Sequence, residues 1–174
     1  GEGYGDRREH AVNGPTVRWE GLRGEAYVMI QVALLVMLVF GPRTVAGLPP
    51  WPAEAALPAL IGGIALMAAG GLIAALGALR LGSNLTPLPH PKDGATLVVS
   101  GLYARVRHPI YLGLILSAFG WALFHQGWLT LGWAALLFVL LDVKSRREER
   151  WLADRFPAYA DYRRRTRRLI PWLY

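Results

Sequence analysis

A chain of 174 residues suffices for one domain, and its 53% hydrophobic content lies above the usual soluble range and falls in blocks. The net charge of +7 could suit nucleic acid, but the basic residues border the apolar blocks, as they do where helices leave a bilayer. The lack of cysteine excludes disulfides, thiolate metal sites and a cysteine nucleophile. The expectation is an all-α, polytopic membrane protein whose partner is the lipid bilayer rather than nucleic acid.

Residues 1–25 carry four arginines and five acids among scattered glycines, which predicts a flexible or weakly helical leader. Residues 26–40 are apolar apart from Gln31 and end at Gly41-Pro42, giving a short first membrane helix. Residues 43–58 hold four prolines and Trp51, an interfacial loop with an aromatic anchor. Residues 59–79 make the clearest span. Small residues recur there at spacing four (Gly62, Gly70, Ala74 and Ala78; Gly63, Gly71 and Ala75), which predicts close backbone packing. Arg80 closes it, and a proline-rich connector containing His90 follows, with a short extended piece at residues 97–99.

Residues 101–113 follow: Gly101, Leu102, Tyr103, Ala104, Arg105, Val106, Arg107, His108, Pro109, Ile110, Tyr111, Leu112, Gly113. Pro109 suits the first turn of a helix, and the sequence after it is apolar enough to enter a bilayer. Arg107 and His108 thus stand at a membrane-helix N-terminus, where free N–H groups and the helix dipole favour an anion. Residues 109–124 and 128–141 are apolar runs separated by His125, Gln126 and Gly127, so they must form an antiparallel hairpin. Trp121, Trp128 and Trp133 read as interfacial or packing aromatics. From Asp142 to Arg168 ten basic residues face five acids. Residues 144–156 fit an amphipathic helix with Ser145, Glu148, Glu149, Leu152 and Phe156 near one face, broken by Pro157. A second short helix passes through Tyr159, Tyr162 and Arg163.

The basic connector and basic C-terminal segment both belong on the cytoplasmic side, so about four transmembrane helices with both termini cytoplasmic is the simplest solution. It includes the C-terminal-half hairpin, with further cytoplasmic helices after it. Glu148 and Glu149 then share a side with Arg107 and His108. Successive helical residues point about 100° apart. One glutamate is therefore expected to face a pocket while the other pairs with Lys144 or Arg146 a turn earlier. A site with an anion-binding end and a cation-binding end recognises a zwitterion, and an amino-acid moiety is one.

The order Gly101-Leu102-Tyr103, Arg107-His108-Pro109, Tyr111, Gly113, an apolar hairpin, Glu148-Glu149, Leu152, Phe156, Tyr159, Tyr162 and Ile170-Pro171 resembles the isoprenylcysteine carboxyl methyltransferase family, prokaryotic type. That family lies within a wider group of membrane methyltransferases that includes phospholipid N-methyltransferases. The resemblance covers residues 80–172. It implies a single membrane methyltransferase domain over residues 26–174, in the prokaryotic inner membrane, with S-adenosyl-L-methionine bound on the cytoplasmic side. By position, Arg107 and His108 meet the cofactor carboxylate and Glu148 or Glu149 its amino group. Tyr111 and Gly113 line the pocket, Gly101, Leu102, Tyr103 and His90 contribute its wall, and Tyr159, Tyr162 and Arg163 cover it. Methyl transfer from a sulfonium depends mostly on positioning and requires no metal. A carboxylate acceptor, as in isoprenylcysteine O-methylation, needs no general base, and Arg163 is the candidate to orient it. A phospholipid or small-amine acceptor would need a base, for which Glu149 is the candidate. Outside methyl transfer, the alternatives are a noncatalytic membrane scaffold and a reductase-like relative using a nicotinamide cofactor.

Overall fold

A computed structural model describes residues 18–85 and 96–171, with side chains from residue 24 onward. His90 lies outside the described residues. The described chain is helical: α1 (Arg18–Phe40), α2 (Ala56–Leu81), α3 (Pro109–His125), α4 (Trp128–Arg155) and α5 (Tyr159–Arg165), with three short 3-10 turns. Among the described residues there is no strand, only a single parallel bridge between Val106 and Arg167. The extended piece anticipated at residues 97–99 has no sheet partner among the described residues.

The four long helices pack in the order α2, α3, α4, α1. Two, α2 with its flanking turns and α4, are long and apolar enough to cross a membrane, while α1 from Gly24 and α3 are shorter apolar helices. At 1.5 Å per residue, the 28 residues of α4 extend about 42 Å. The apolar arm and the amphipathic helix read separately in the sequence are thus one rod. No proline or glycine lies between Leu141 and Lys144 to interrupt it, and it ends at Arg155, with Phe156 as its extended C-cap ahead of Pro157. The second half of α4 therefore carries Lys144, Glu148 and Glu149 rigidly from the apolar core to the site. Likewise α1 begins at Arg18, earlier than the apolar run alone indicates.

The closest packing is between α2 and α3. The buried glycines of α2 are Gly63, Gly70 and Gly77, spaced by seven rather than four. Gly63 lies against Gly120, Gly70 against Gly113, and Gly77 against Pro109 and Ile110, an antiparallel register in which the backbones touch. A sevenfold repeat keeps one seam facing the partner along the helix, which spacing four alone does not. Gly62 and Gly71, included in the predicted stripe, face open space.

Aromatic contacts brace the end remote from the charged half of α4. Trp121 Nε1 donates to the Leu38 carbonyl (3.0 Å), tying α3 to α1. Trp128 Nε1 donates to the Pro49 carbonyl (2.8 Å), and its ring lies 5.2 Å from Trp51. The hairpin turn is Gln126-Gly127, with Gln126 at φ 51°, ψ 40° in the left-handed region. A non-glycine residue there costs roughly 1–2 kcal/mol. Gln126→Gly is therefore expected to raise stability by about 1 kcal/mol, read as a higher unfolding midpoint in detergent.

Candidate functional site

The site forms where three segments meet: the turn before α3, the second half of α4, and the chain leaving α5. A 3-10 turn at Gly101–Ala104 opens at φ +66° on Gly101. Gly101 lies beside the Arg80 side chain, which donates to Ser100 Oγ (2.7 and 3.1 Å) and anchors the turn to the end of α2. The Leu102 carbonyl accepts from the N–H groups of Arg105 and Val106, completing the turn. His108 is the N-cap of α3 with Pro109 at its first position, as the sequence predicted, but its side chain makes no capping bond. The imidazole is turned toward α4.

Four charged groups converge there. Arg107 Nε donates to Glu149 Oε1 at 2.6 Å, and both side chains are under one-tenth exposed. Arg107 Nη1 donates to the carbonyls of Thr166 (2.6 Å) and Arg163 (3.2 Å), so one guanidinium clamps α4 to the C-terminal segment. His108 Nδ1 lies 3.4 Å from Glu148 Oε2, and Nε2 lies 3.4 Å from Glu149 Oε1. The second contact lacks hydrogen-bond geometry, so Nε2 is buried and held by charge alone. Tyr111 donates to Glu148 Oε1, and its ring stacks on His108 with centroids 5.4 Å apart.

Both glutamates therefore turn to the α3 entrance, where each meets His108. Arg146 instead pairs with Asp142 (2.8 Å), and Lys144 is buried, donating to Gln31 of α1 (2.9 Å) beneath the Tyr111 ring. Gln31, the polar exception in the first apolar run, thus satisfies a buried ammonium from α4. The sequence marks Gln31 as unusual but does not identify this partner.

Burial of His108 by itself disfavours the imidazolium, but Glu148 and then Glu149 outweigh it and raise its pKa above the usual 6.5. A raised folded-state value means its stabilisation is fully present below the unfolded pKa and is lost as pH rises through the folded value. The stability difference between the wild type and His108→Gln is expected to shrink as pH is raised from about 6 through the mildly alkaline range. Parallel thermal melts check this; a difference growing with pH would contradict it.

The remaining residues have distinct positions. Tyr103 is buried, its hydroxyl 3.4 Å from the Gly77 carbonyl of α2 and its carbonyl accepting from the Tyr162 hydroxyl (2.7 Å). Burial, with the Glu148 charge, pushes its pKa up to about 12. Gly113 meets Gly70 and Ala74 of α2, so the close approach it permits is between helices. Arg163 is exposed, with Nε 4.0 Å from Glu149 Oε2. Tyr159 is buried and within electrostatic reach of Glu149 and Arg107, yet its hydroxyl has no hydrogen-bond partner among the described residues. Thr166, whose carbonyl grips Arg107, carries no sequence signal because the contact is made by backbone. Among the described residues, no group of three or more His, Asp or Glu side chains has the geometry to hold a metal ion.

A model of the phospholipid methyltransferase family matches residues 58–158, more than half of the chain and all of α3 and α4. Cobalt-zinc-cadmium resistance protein CzcN of Cupriavidus metallidurans is 38% identical over 79 residues, 45% of this chain and 37% of that protein. Methanethiol S-methyltransferase 1 of Bradyrhizobium diazoefficiens is 40% identical over 72 residues, 41% of this chain and 25% of that protein. The chain thus matches well under half the length of either relative.

Proposed function

Because the chain belongs to the phospholipid methyltransferase family, we propose that it is an integral membrane methyltransferase moving a methyl group from S-adenosyl-L-methionine to a lipidic or hydrophobic acceptor. The observation that carries this reading is the buried set at the α3 entrance: two cationic side chains, Arg107 and His108, interleaved with two carboxylates, Glu148 and Glu149. Each charge is satisfied by its opposite, and a zwitterion can replace those partners pairwise. Arg107 and His108 hold its carboxylate, and Glu148 or Glu149 its ammonium group. The unpartnered Tyr159 hydroxyl beside them fits the same polar end.

The methyl donor, when bound, supplies an already activated methyl group, so the protein's contribution is binding, orientation and exclusion of water. The four-span arrangement, with the site and both termini on the cytoplasmic side of a prokaryotic inner membrane, belongs to this proposal. It sets the first half of α4 in the bilayer and the charged half in water. An apolar acceptor then approaches from the lipid side of α3 and α4. A carboxylate acceptor needs orientation alone, a role open to the exposed Arg163. An amine or thiol must give up a proton, and Glu149 is the carboxylate proposed to take it once the bound donor has drawn Arg107 away from it. The thiol reading is favoured by the similarity to a protein named as a methanethiol S-methyltransferase.

Isothermal titration of the detergent-solubilised chain with S-adenosylhomocysteine is expected to give saturable heat, lost in Arg107→Ala/Glu148→Ala. No saturable heat in the wild type would overturn the proposal. Labelled methyl transfer to extracted lipids, a prenylated cysteine analogue and methanethiol then identifies the acceptor, and base-stable label excludes an ester.

A further inference from the structure

The chain leaving α5 is fixed in an extended course by backbone hydrogen bonds, Arg107 N–H to the Arg167 carbonyl (2.8 Å) and Arg167 N–H to the Arg105 carbonyl (3.0 Å). Extended backbone alternates its side chains. Arg165 closes α5 and Arg167 follows the buried Thr166 in the bridged segment; both arginines are exposed, as is Arg105, whose carbonyl accepts from the Arg167 N–H. Two other exposed arginines of the C-terminal region are neutralised, Arg164 by Asp161 and Arg146 by Asp142. Among the described residues, Arg105, Arg165 and Arg167 have no acidic partner. Three unneutralised guanidiniums carried by residues this close along the backbone raise a local positive potential, which attracts an opposing negative surface.

The height of this cluster identifies the surface. His108 N–H bonds to the Arg168 carbonyl, so the cluster stands where α3 begins, and the next inward residue, Leu169, is fully buried in the apolar core with Ile115, Leu137 and Leu141. Ile170 beside it is exposed, an apolar neighbour suited to a bilayer and not to nucleic acid. We propose that Arg105, Arg165 and Arg167 form a docking surface for the headgroups of anionic phospholipids in the leaflet next to the site. Bound headgroups hold the extended segment whose Thr166 carbonyl grips Arg107, so lipid charge supports the site. The inference rests on the membrane placement proposed above and not on methyl transfer.

The test titrates the chain in neutral detergent with phosphatidylglycerol and, separately, phosphatidylcholine, reading bound lipid by native mass spectrometry. Phosphatidylglycerol is expected to bind on the order of a hundredfold more tightly, roughly fivefold per arginine, with the preference falling steeply toward half-molar salt. Arg105→Gln/Arg165→Gln/Arg167→Gln is expected to lose it. Equal binding of the two lipids by the wild type overturns the proposal, whether or not the variant folds. So does a preference kept in the triple variant, displacement of the lipid by inorganic phosphate, or tighter binding of a DNA duplex. Alkaline carbonate extraction separates the two ideas: release from membranes removes the membrane placement, whereas a retained chain with no lipid preference removes only this inference.

Discussion

Arg107→Ala is expected to abolish measurable S-adenosylhomocysteine binding and to destabilise the protein by about 3–5 kcal/mol. The guanidinium neutralises Glu149 at 2.6 Å and donates to two carbonyls, of Thr166 and Arg163. Its removal leaves a buried carboxylate facing His108 and, at 4.0 Å, the exposed Arg163, and frees the segment beyond α5. The affinity loss should be on the order of a hundredfold or more, because a buried partner of a charged group is deleted. Arg107→Lys should rescue little, since one ammonium cannot span the carboxylate and both carbonyls in the same fork. The double variant Arg107→Ala/Glu149→Ala separates the two effects: stability should partly return, because no charge is left uncompensated, while binding should not. Thermal unfolding in detergent and titration calorimetry on the four proteins of this cycle provide the check. Wild-type affinity in Arg107→Ala would remove the arginine from the site.

Gly70→Ala and Gly113→Ala should each cost about 1–3 kcal/mol, although alanine is the better helix former. A Cβ at Gly70 would stand 2.5 Å from the Gly113 carbonyl oxygen and 2.5 Å from Ser117 Oγ; one at Gly113 would stand 2.5 Å from the Gly70 carbonyl oxygen and 2.6 Å from the Ala74 nitrogen. The obstructing atoms are mostly backbone, so relief requires the helices to part. Parting them carries the α3 entrance, with His108 and Tyr111, away from its contact with α2 through Tyr103 and Gly77. Gly62→Ala and Gly71→Ala are the controls, meeting nothing within 4 Å, and should stay within about 0.5 kcal/mol of wild type. Equal melting of all four variants would show that the seam is not what holds α2 to α3.

Much of the candidate site was legible because its signals are local. Arg107-His108-Pro109 announces cations ahead of a helix start, Pro157 stops the helix carrying Glu148 and Glu149, and a three-residue turn forces the hairpin that brings both together. What stayed hidden depends on distances between helices. Two adjacent glutamates point about 100° apart, so the sequence assigned one of them to Lys144 or Arg146. In the fold, His108 lies between them and meets both, while Lys144 reaches Gln31 on α1. Gly113 was expected to line the pocket from its position in the family resemblance; in the fold it lies against Gly70 and Ala74 of α2, about 200° around the helix from Tyr111.

The sequence by itself determined where the apolar runs fall, where charge gathers and which family the chain belongs to, since periodicity, composition and residue order are properties of the chain alone. The tertiary structure decided which glycines form the α2–α3 seam, which carboxylate answers which cation, and that the Thr166 carbonyl completes the Arg107 clamp. Those outcomes depend on the rotation and depth of one helix against another. Backbone atoms that every residue possesses leave no mark in the sequence.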